Sequence, residues 1–169
     1  RDVDVINSGE TVIGTLGNNS LVQLLGTTTF SVGGTNSSTI GEYGGTGRLV
    51  ITPSSSFTAA SVPLFVGIVG GTGTVDVQGK LTSAKGMYVG HLDGTGRVNI
   101  AESGFVDLAE DLFVGSSNGR SGRLDMTGAG LPPASQAKLK ARRARFGEGG
   151  SGTLNINHGE VILTDELFL

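Results

Sequence analysis

A repeated pair of glycines constrains the fold of this 169-residue chain more than any other feature. In five segments, a Val-Gly-like pair is followed by a short loop, a second glycine and then apolar residues that alternate with polar ones. The second glycine recurs at steps of 26, 23, 26 and 30 residues, a fixed period with small insertions that is typical of a solenoid. These second glycines are Gly47, Gly73, Gly96, Gly122 and Gly152.

Each repeat unit predicts three short β-strands. The first strand follows the second glycine and alternates inward and outward residues, as in Val75–Val77. The second strand follows another glycine, as in Gly79–Leu81, and the third precedes the next corner, as in Leu64–Val66. The chain contains 30 glycines, a content that disfavours helices and favours many tight corners.

Stacking these units predicts an all-β fold, a single right-handed parallel β-helix of about seven turns that spans residues 1–169 as one domain. The repeat anchors lie near residues 40–51, 66–77, 89–100, 114–126 and 146–156. Residues 10–39 fit the pattern poorly, and 131–143 is interpreted as an insertion, so the path of both segments is left open. One inward column is predicted to contain Leu49, Val75, Val98, Leu124 and Leu154, and a second to contain Ile51, Val77, Ile100, Met126 and Ile156.

Composition excludes several classes of function. The net charge of −3 offers no basic field for nucleic acid, and no apolar run reaches the roughly 18 residues of a transmembrane helix. The absence of cysteine removes disulfides and thiolate metal sites. We therefore expect no cofactor, no metal, no nucleic-acid partner and no membrane insertion.

The Val-Gly-x-x-Gly-Gly-Thr-Gly-x-Val-x-Val string at Val66–Val77 resembles the repeats of bacterial autotransporter passengers and related secreted Gly-rich β-helix proteins. The resemblance covers about residues 38–169. It implies a parallel β-helix that is secreted or displayed on a bacterial cell surface or in an extracellular matrix. No catalytic motif of that group maps onto this sequence.

The two termini match different strands of the repeat. Val3–Gly9 aligns with the first-strand segment Val98–Gly104, and Leu167–Leu169 aligns with the third-strand segment Leu112–Val114. Only a corner loop is then missing between the end of one copy and the start of the next. This predicts head-to-tail stacking of copies; the alternatives are a piece of a longer passenger or a capped monomer. The predicted self-assembly residues are Val3, Val5, Leu167, Phe168 and Leu169.

The middle position of the third strand predicts an outward column rich in aromatic residues. Stacked rings in such a column, with an arginine between two of them, favour a lateral interface between rods. A carbohydrate platform, a covering loop of the same chain, or reversed inward and outward faces are the alternatives. The column contains Phe65, Tyr88, Phe113, Arg145 and Phe168.

A polar column is predicted on the outside of the first strand. It contains Asp4, Val50, Asp76, Asn99, Asp125 and Asn155, beside a column of Asp2, Arg48, Thr74, Arg97, Arg123 and Thr153. We interpret it as a solvated, charge-balanced face. An alternative is a polysaccharide-cleaving pair, because Asp76 and Asp125 would lie two rungs, about 9.6 Å, apart, near the upper limit of an inverting glycosidase. Neighbouring arginines would lower both pKa values, which disfavours that alternative.

Other candidate sites are weaker. His91 and His158 lack a second histidine at ligand spacing and are expected on the surface. Gly70–Asp76 differs from a calcium-binding nonapeptide because its aspartate comes one position late, so no calcium is expected there. A basic stretch follows Pro132-Pro133 and is predicted to form either a strand edge or a short helix that begins near Ser135. It is interpreted either as a docking patch for an acidic polymer, surface or neighbouring chain, or as a solvated insertion. The patch contains Lys138, Lys140, Arg142 and Arg143.

The expected function is that of a non-enzymatic structural subunit or segment of an extracellular fibre, adhesin or biofilm matrix, with the chain itself as the main partner. The matching termini and the aromatic column favour this hypothesis. The alternatives are a carbohydrate-binding module, which would use the aromatic column, and a polysaccharide-degrading β-helix enzyme, which would use the aspartate column.

Overall fold

The computed structural model describes residues 4–118, 120–128 and 136–169, and in them the chain forms a parallel β-solenoid with no helix. Three parallel sheets, here called A, B and C, line its sides, and every strand pairs with the strand three places before or after it in the chain. The all-β solenoid predicted from the glycine repeat is confirmed.

The strands are short and regularly spaced. Sheet A contains β1 (Asp4–Asn7), β4 (Thr29–Val32), β7 (Ser56–Ala59), β10 (Lys80–Ser83), β13 (Phe105–Leu108), β16 (Lys138–Ala141) and β19 (Glu160–Leu163). Sheet B contains β2 (Thr11–Ile13), β5 (Ser38–Glu42), β8 (Leu64–Ile68), β11 (Met87–His91), β14 (Leu112–Ser116), β17 (Ala144–Phe146) and β20 (Leu167–Phe168). Sheet C contains β3 (Asn19–Leu24), β6 (Thr46–Ile51), β9 (Thr72–Val77), β12 (Thr95–Ala101), β15 (Ser121–Thr127) and β18 (Gly152–Ile156).

The turn count is about six rather than the predicted seven. Strands follow the order A, B, C six times, from β1–β3 to β16–β18, and β19 and β20 add two sides of a further turn.

The start of the chain belongs to a different sheet from the one predicted. β1 pairs with β4 in sheet A, with Val5 opposite Phe30, whereas the strand that contains Val98 lies in sheet C. The alignment of the start with the first strand of the repeat is therefore wrong. Alternating valines suit either strand, so the local pattern alone did not distinguish the two sheets.

Register in the rest of the chain follows the predicted columns. Val75 pairs with Leu49 and with Val98, and Leu124 continues the same column, so each apolar side chain packs between those above and below it. Both predicted inward columns are confirmed. Their central members are fully buried, as are the sheet A and sheet B residues that complete the core.

Close approach between turns explains why glycine recurs at the corner between sheets B and C. At Gly67, φ is +71°, and an added Cβ would collide with the carbonyl oxygen of Thr95 in the next turn. Gly73, on the other side of the corner, would collide with the carbonyl oxygen of Ile40 in the preceding turn. The repeat thus encodes a corner at which three successive turns of backbone meet without room for a side chain.

The two segments that the sequence left open also join the coil. Residues 11–32 supply β2, β3 and β4, and Lys138–Ala141 forms β16 between β13 and β19. Leu139 and Ala141 are buried in the core, so this part of the proposed insertion is an ordinary strand. Residues 129–135 of that segment lie outside the described chain.

Candidate functional site

The outer face of sheet B carries a stacked aromatic ladder. The rings of Tyr88 and Phe113 lie 4.6 Å apart and 4° from parallel, and those of Phe65 and Tyr88 lie 4.9 Å apart at 18°. Parallel pairing of β8, β11 and β14 brings these residues to neighbouring rungs. Both faces of Tyr88 are therefore covered by neighbouring rings, and none is left to stack on a sugar.

The ladder continues through an arginine. The guanidinium of Arg145 lies 5.7 Å from the ring centre of Phe113 and 4.7 Å from that of Phe168. Arg145 also forms an ion pair with Glu148 at 3.2 Å. The structure thus brings all five residues of the predicted lateral column into one continuous stack, and their role as an interface stays a prediction.

A hollow of about 430 Å³ lies beside this ladder, where sheet B meets its corner with sheet C. His91 sits half-buried in it rather than on the open surface, and its Nδ1 lies 3.0 Å from Ser116 Oγ. Burial lowers the pKa of His91, against the opposing effect of a hydrogen bond with the backbone of Ser116, so the imidazole is neutral at neutral pH. The hollow is lined by Phe65, Tyr88, His91, Phe113, Ser116, Ser117 and Glu148.

The phenol of Tyr88 is also held neutral. Burial raises its pKa, and the negative charges of Asp111, Glu110 and Glu148 raise it further. With both ring systems uncharged, the hollow presents a mixed wall of aromatic rings, an imidazole, two serines and one carboxylate, that of Glu148.

The outer face of sheet C is a ladder of aspartate, asparagine and arginine. Asp76 forms an ion pair with Arg48 at 2.7 Å and accepts a hydrogen bond from Asn99 at 2.6 Å. The predicted alternation of charged and amide residues therefore joins successive turns. Asp4 does not belong to this column, since its strand lies in sheet A, and Asp2 lies outside the described residues.

Asp125 is the most heavily bonded member of this ladder. It pairs with Arg123 at 2.8 Å and with Arg97 at 3.0 Å, and it accepts a hydrogen bond from Asn155 at 2.7 Å. The hydrogen bond from Arg123 lowers the pKa of Asp125, and Asn155 and Arg97 act in the same direction against the effect of burial. A glycosidase acid needs a raised pKa, so this geometry gives no support to Asp125 as a proton donor.

The four cations of the predicted basic patch all have acidic partners. Lys138 contacts Glu160 and Lys140 contacts Asp107, each at 3.6 Å, which leaves little unbalanced charge for an acidic ligand. Docking at this patch stays a prediction.

Asp111, which the sequence did not single out, gathers the other two cations. Its carboxylate lies 2.9 Å from Arg142 and 2.6 Å from Arg143. Burial alone would raise the pKa of Asp111, but the hydrogen bonds from Arg143 and Arg142 outweigh it and lower the pKa. The separation of more than 30 residues hid this cluster, which locks the corner between sheets A and B.

Both ends of the solenoid expose the apolar interior. At the end formed by the first turn, a hollow of about 200 Å³ is lined by Thr11, Val12, Ile13, Val22, Phe30, Leu49 and Phe57. At the other end, a hollow of about 300 Å³ is lined by Leu139, Ala144, Phe146, Leu154, Ile156, Val161, Leu163 and Leu167. Val5, Leu167, Phe168 and Leu169 are exposed at these ends, as the stacking prediction requires, and Val3 lies outside the described residues.

Two other kinds of feature are absent from residues 4–118, 120–128 and 136–169. These residues contain no group of three or more metal-ligating side chains. They also contain no helix with the length and hydropathy that crossing a membrane demands. His158 is exposed in the turn after β18.

Fold, aromatic ladder and open ends together define the class of this protein: a parallel β-solenoid with apolar surfaces both along its side and at its ends. The chain matches no family model, no curated protein and no solved structure.

Proposed function

We propose that this chain is a structural segment of an extracellular fibre or adhesin, on a bacterial surface or in its matrix, in which copies stack head to tail. A single observation carries this proposal: each end of the solenoid presents unpaired strand edges around an open apolar interior. Secretion is supported by the Gly-rich repeat and its resemblance to autotransporter passengers.

The strand edges supply the first part of the argument. β1, β2 and β3 end their sheets on one side, and β19, β20 and β18 end the same sheets on the other. Among the residues that the structure describes, each edge strand has backbone N–H and C=O groups without a partner strand, and such an edge is a template for another strand. A second copy would satisfy these groups with the same parallel pairing that joins the turns within one chain.

The exposed interior supplies the second part. The two end hollows are both lined mainly by aliphatic and aromatic side chains, with Phe30 at one end and Phe146 at the other. Burial of apolar surface contributes roughly 25 cal/mol per Å², so contact between these two layers favours association. Pairing of edges and burial of the hollows act together in the same head-to-tail contact.

Strand order sets the rotation between stacked copies. The last strand in chain order, β20, belongs to sheet B, so the next position in the coil is one above β18 in sheet C. A following copy keeps the coil unbroken when it is rotated by one third of a turn, with its β1 above β18, its β2 above β19 and its β3 above β20. The coil of each copy is right-handed, as are nearly all parallel β crossovers.

Two lysine variants of β19 test this proposal. Val161 lines the apolar hollow at the end, whereas its neighbour Ile162 points to the outer surface of the same strand. In sedimentation velocity over a range of concentrations, we expect the parent chain and Ile162→Lys to form long species. Val161→Lys should abolish end-to-end growth because it places a charge in the buried contact.

Circular dichroism is the control for folding, and both variants should retain the β-sheet signal of the parent. A parent chain that stays monomeric at high concentration contradicts head-to-tail stacking. Equal growth of the Val161→Lys and Ile162→Lys variants does so too, since the contact would then not involve the open interior.

A further inference from the structure

Four large apolar residues form an exposed ridge along the corner between sheets B and C. Each lies two residues after a corner glycine, in four successive turns, and each has a positive φ, between 47° and 51°. Their exposed fractions are 75% for Leu16, 56% for Tyr43, 38% for Val69 and 45% for Leu92. We call Leu16, Tyr43, Val69 and Leu92 the corner ridge.

Nothing in the backbone of this corner calls for apolar side chains. The left-handed region is unfavourable for a non-glycine residue and especially so for a β-branched residue such as Val69. Elsewhere in the part of the chain that the structure describes, the non-glycine residues with positive φ are polar, as at Ser54, Asp93, Glu102 and Asn118. The corner ridge therefore combines backbone strain with exposed apolar surface in four consecutive turns, which indicates a surface that a partner covers.

The ridge ends abruptly in the fifth turn. The equivalent position there is Ser117, also with a positive φ of 52°, and in the sixth turn it is Gly149. The hollow of about 430 Å³ beside the aromatic ladder extends from Phe65 in the third turn to Glu148 in the sixth, with Ser116 and Ser117 in its lining. The same corner thus carries large side chains over its first four turns and small ones, next to a hollow, over the next two.

We propose that the corner ridge packs against a second copy of this chain in an antiparallel, twofold lateral contact. With the twofold axis between the fourth turn (β10–β12) and the fifth (β13–β15), Leu92 of each copy faces Ser117 of the other, and Val69 faces Gly149. Val69 and Leu92 of each copy then pack beside the hollow of the other, so that one symmetric contact uses both features.

Charges at this corner fit the same arrangement. Asp93 lies in the fourth turn and Arg120 in the fifth, both are exposed, and neither forms an ion pair with any residue that the structure describes. The twofold axis that places Leu92 against Ser117 also places Asp93 against Arg120 of the other copy. A parallel contact in register would bring like charges and large side chains together instead.

This lateral contact does not depend on head-to-tail stacking, because it uses the side of the rod rather than its ends. The test is therefore made in the Val161→Lys background, where end-to-end growth is blocked. Sedimentation velocity should show a concentration-dependent dimer. Replacing Tyr43, Val69 and Leu92 together by Asn should weaken the dimer at least about tenfold, since apolar anchors dominate such contacts.

Asparagine makes this variant diagnostic because it tolerates positive φ better than the residues it replaces. The triple variant should unfold at the same or a higher denaturant concentration than its parent, whereas a purely structural ridge would lose stability. Leu25→Asn, which alters an exposed leucine outside the ridge, is the matched control and should leave the dimer unchanged. Ser117→Leu, which fills the hollow, should weaken the dimer without touching the ridge.

Orientation is tested by crosslinking, since the chain has no cysteine of its own. A mixture of Leu92→Cys chains with Ser117→Cys chains should form mixed disulfides in preference to disulfides between like chains. An end-blocked protein that is monomeric at all concentrations overturns the proposal. A dimer that the triple Asn variant leaves unchanged, or that crosslinks mainly between two Leu92→Cys chains, also overturns it.

Discussion

The central turns and the last turn of sheet C have residues of the same type in the same inward columns, but the exposed fractions of these side chains differ. Ile100 and Ile156 lie in one inward column, yet Ile100 is 0% exposed and Ile156 is 49% exposed. Leu124 is fully buried, whereas Leu154, one turn further on, is only partly buried. Burial in this protein is therefore conferred by the neighbouring turns rather than by residue type, as in other solenoids.

The largest expected effect comes from the corner of a central turn. Gly67 and Gly70 have nearly the same φ, +71° and +74°, but an added Cβ meets the next turn only at Gly67. We expect Gly67→Ala to destabilise the fold by about 4 kcal/mol or to prevent folding. Gly70→Ala should cost only about 1 kcal/mol of backbone strain. Urea unfolding followed by circular dichroism measures both, and equal effects would mean that close packing of turns is not the reason for the glycine.

The comparison of Ile100 with Ile156 gives the next largest effect. Ile100→Ala leaves a cavity between two turns and should lower the free energy of unfolding by about 3 kcal/mol. Ile156→Ala removes a half-exposed side chain and should lower it by about 1 kcal/mol. Urea unfolding of dilute, unassociated protein provides the measurement, and similar losses for the two variants would contradict the difference between centre and end.

The smallest of the three losses in stability is expected in the polar ladder that joins the central turns to the last turn. Asp125→Asn, which keeps the shape of the side chain, should cost about 1.5 kcal/mol at neutral pH by removing charge-assisted hydrogen bonds from Arg123 and Arg97. The pKa of Asp125 is lowered in the folded state. Its contribution to the free energy of unfolding is therefore present above the pKa of the unfolded state and is lost as the pH falls through the pKa of the folded state. The two proteins should therefore converge in stability in strong acid, and a constant difference across pH would exclude this origin.

Much of the fold could be predicted because the glycine corner is both local and repeated. Once Gly73 and Gly96 are aligned, the register of Val75 with Val98 follows, and so does the stack of Tyr88 on Phe65. The start of the chain lacks that corner, and its alternating valines suit sheet A as well as sheet C. The wrong sheet for the start of the chain and the simple stacking scheme both came from this one ambiguity.

Two features of the surface had signals too weak to be recognised in the sequence. The cluster of Asp111 with Arg142 and Arg143 joins residues more than 30 positions apart, in different turns. Each residue of the corner ridge follows a corner glycine by two positions, and this spacing is present in the sequence. The positive φ and the exposure of Val69 or Leu92, however, are properties of the folded backbone. Alternation of apolar and polar residues predicts which side chains point inward, but it does not predict which outward-facing side chains contact each other.

The claim on which the rest depends is that successive turns lie one strand apart along a single axis. Pulsed electron paramagnetic resonance tests it most directly, with spin labels on Gln23 and Asn155, which face outward on β3 and β18. These residues are five turns apart in sheet C, so their backbones should be separated by about 24 Å. A narrow distribution near that distance in dilute protein is the result expected, and a broad distribution or a much longer distance would contradict the solenoid.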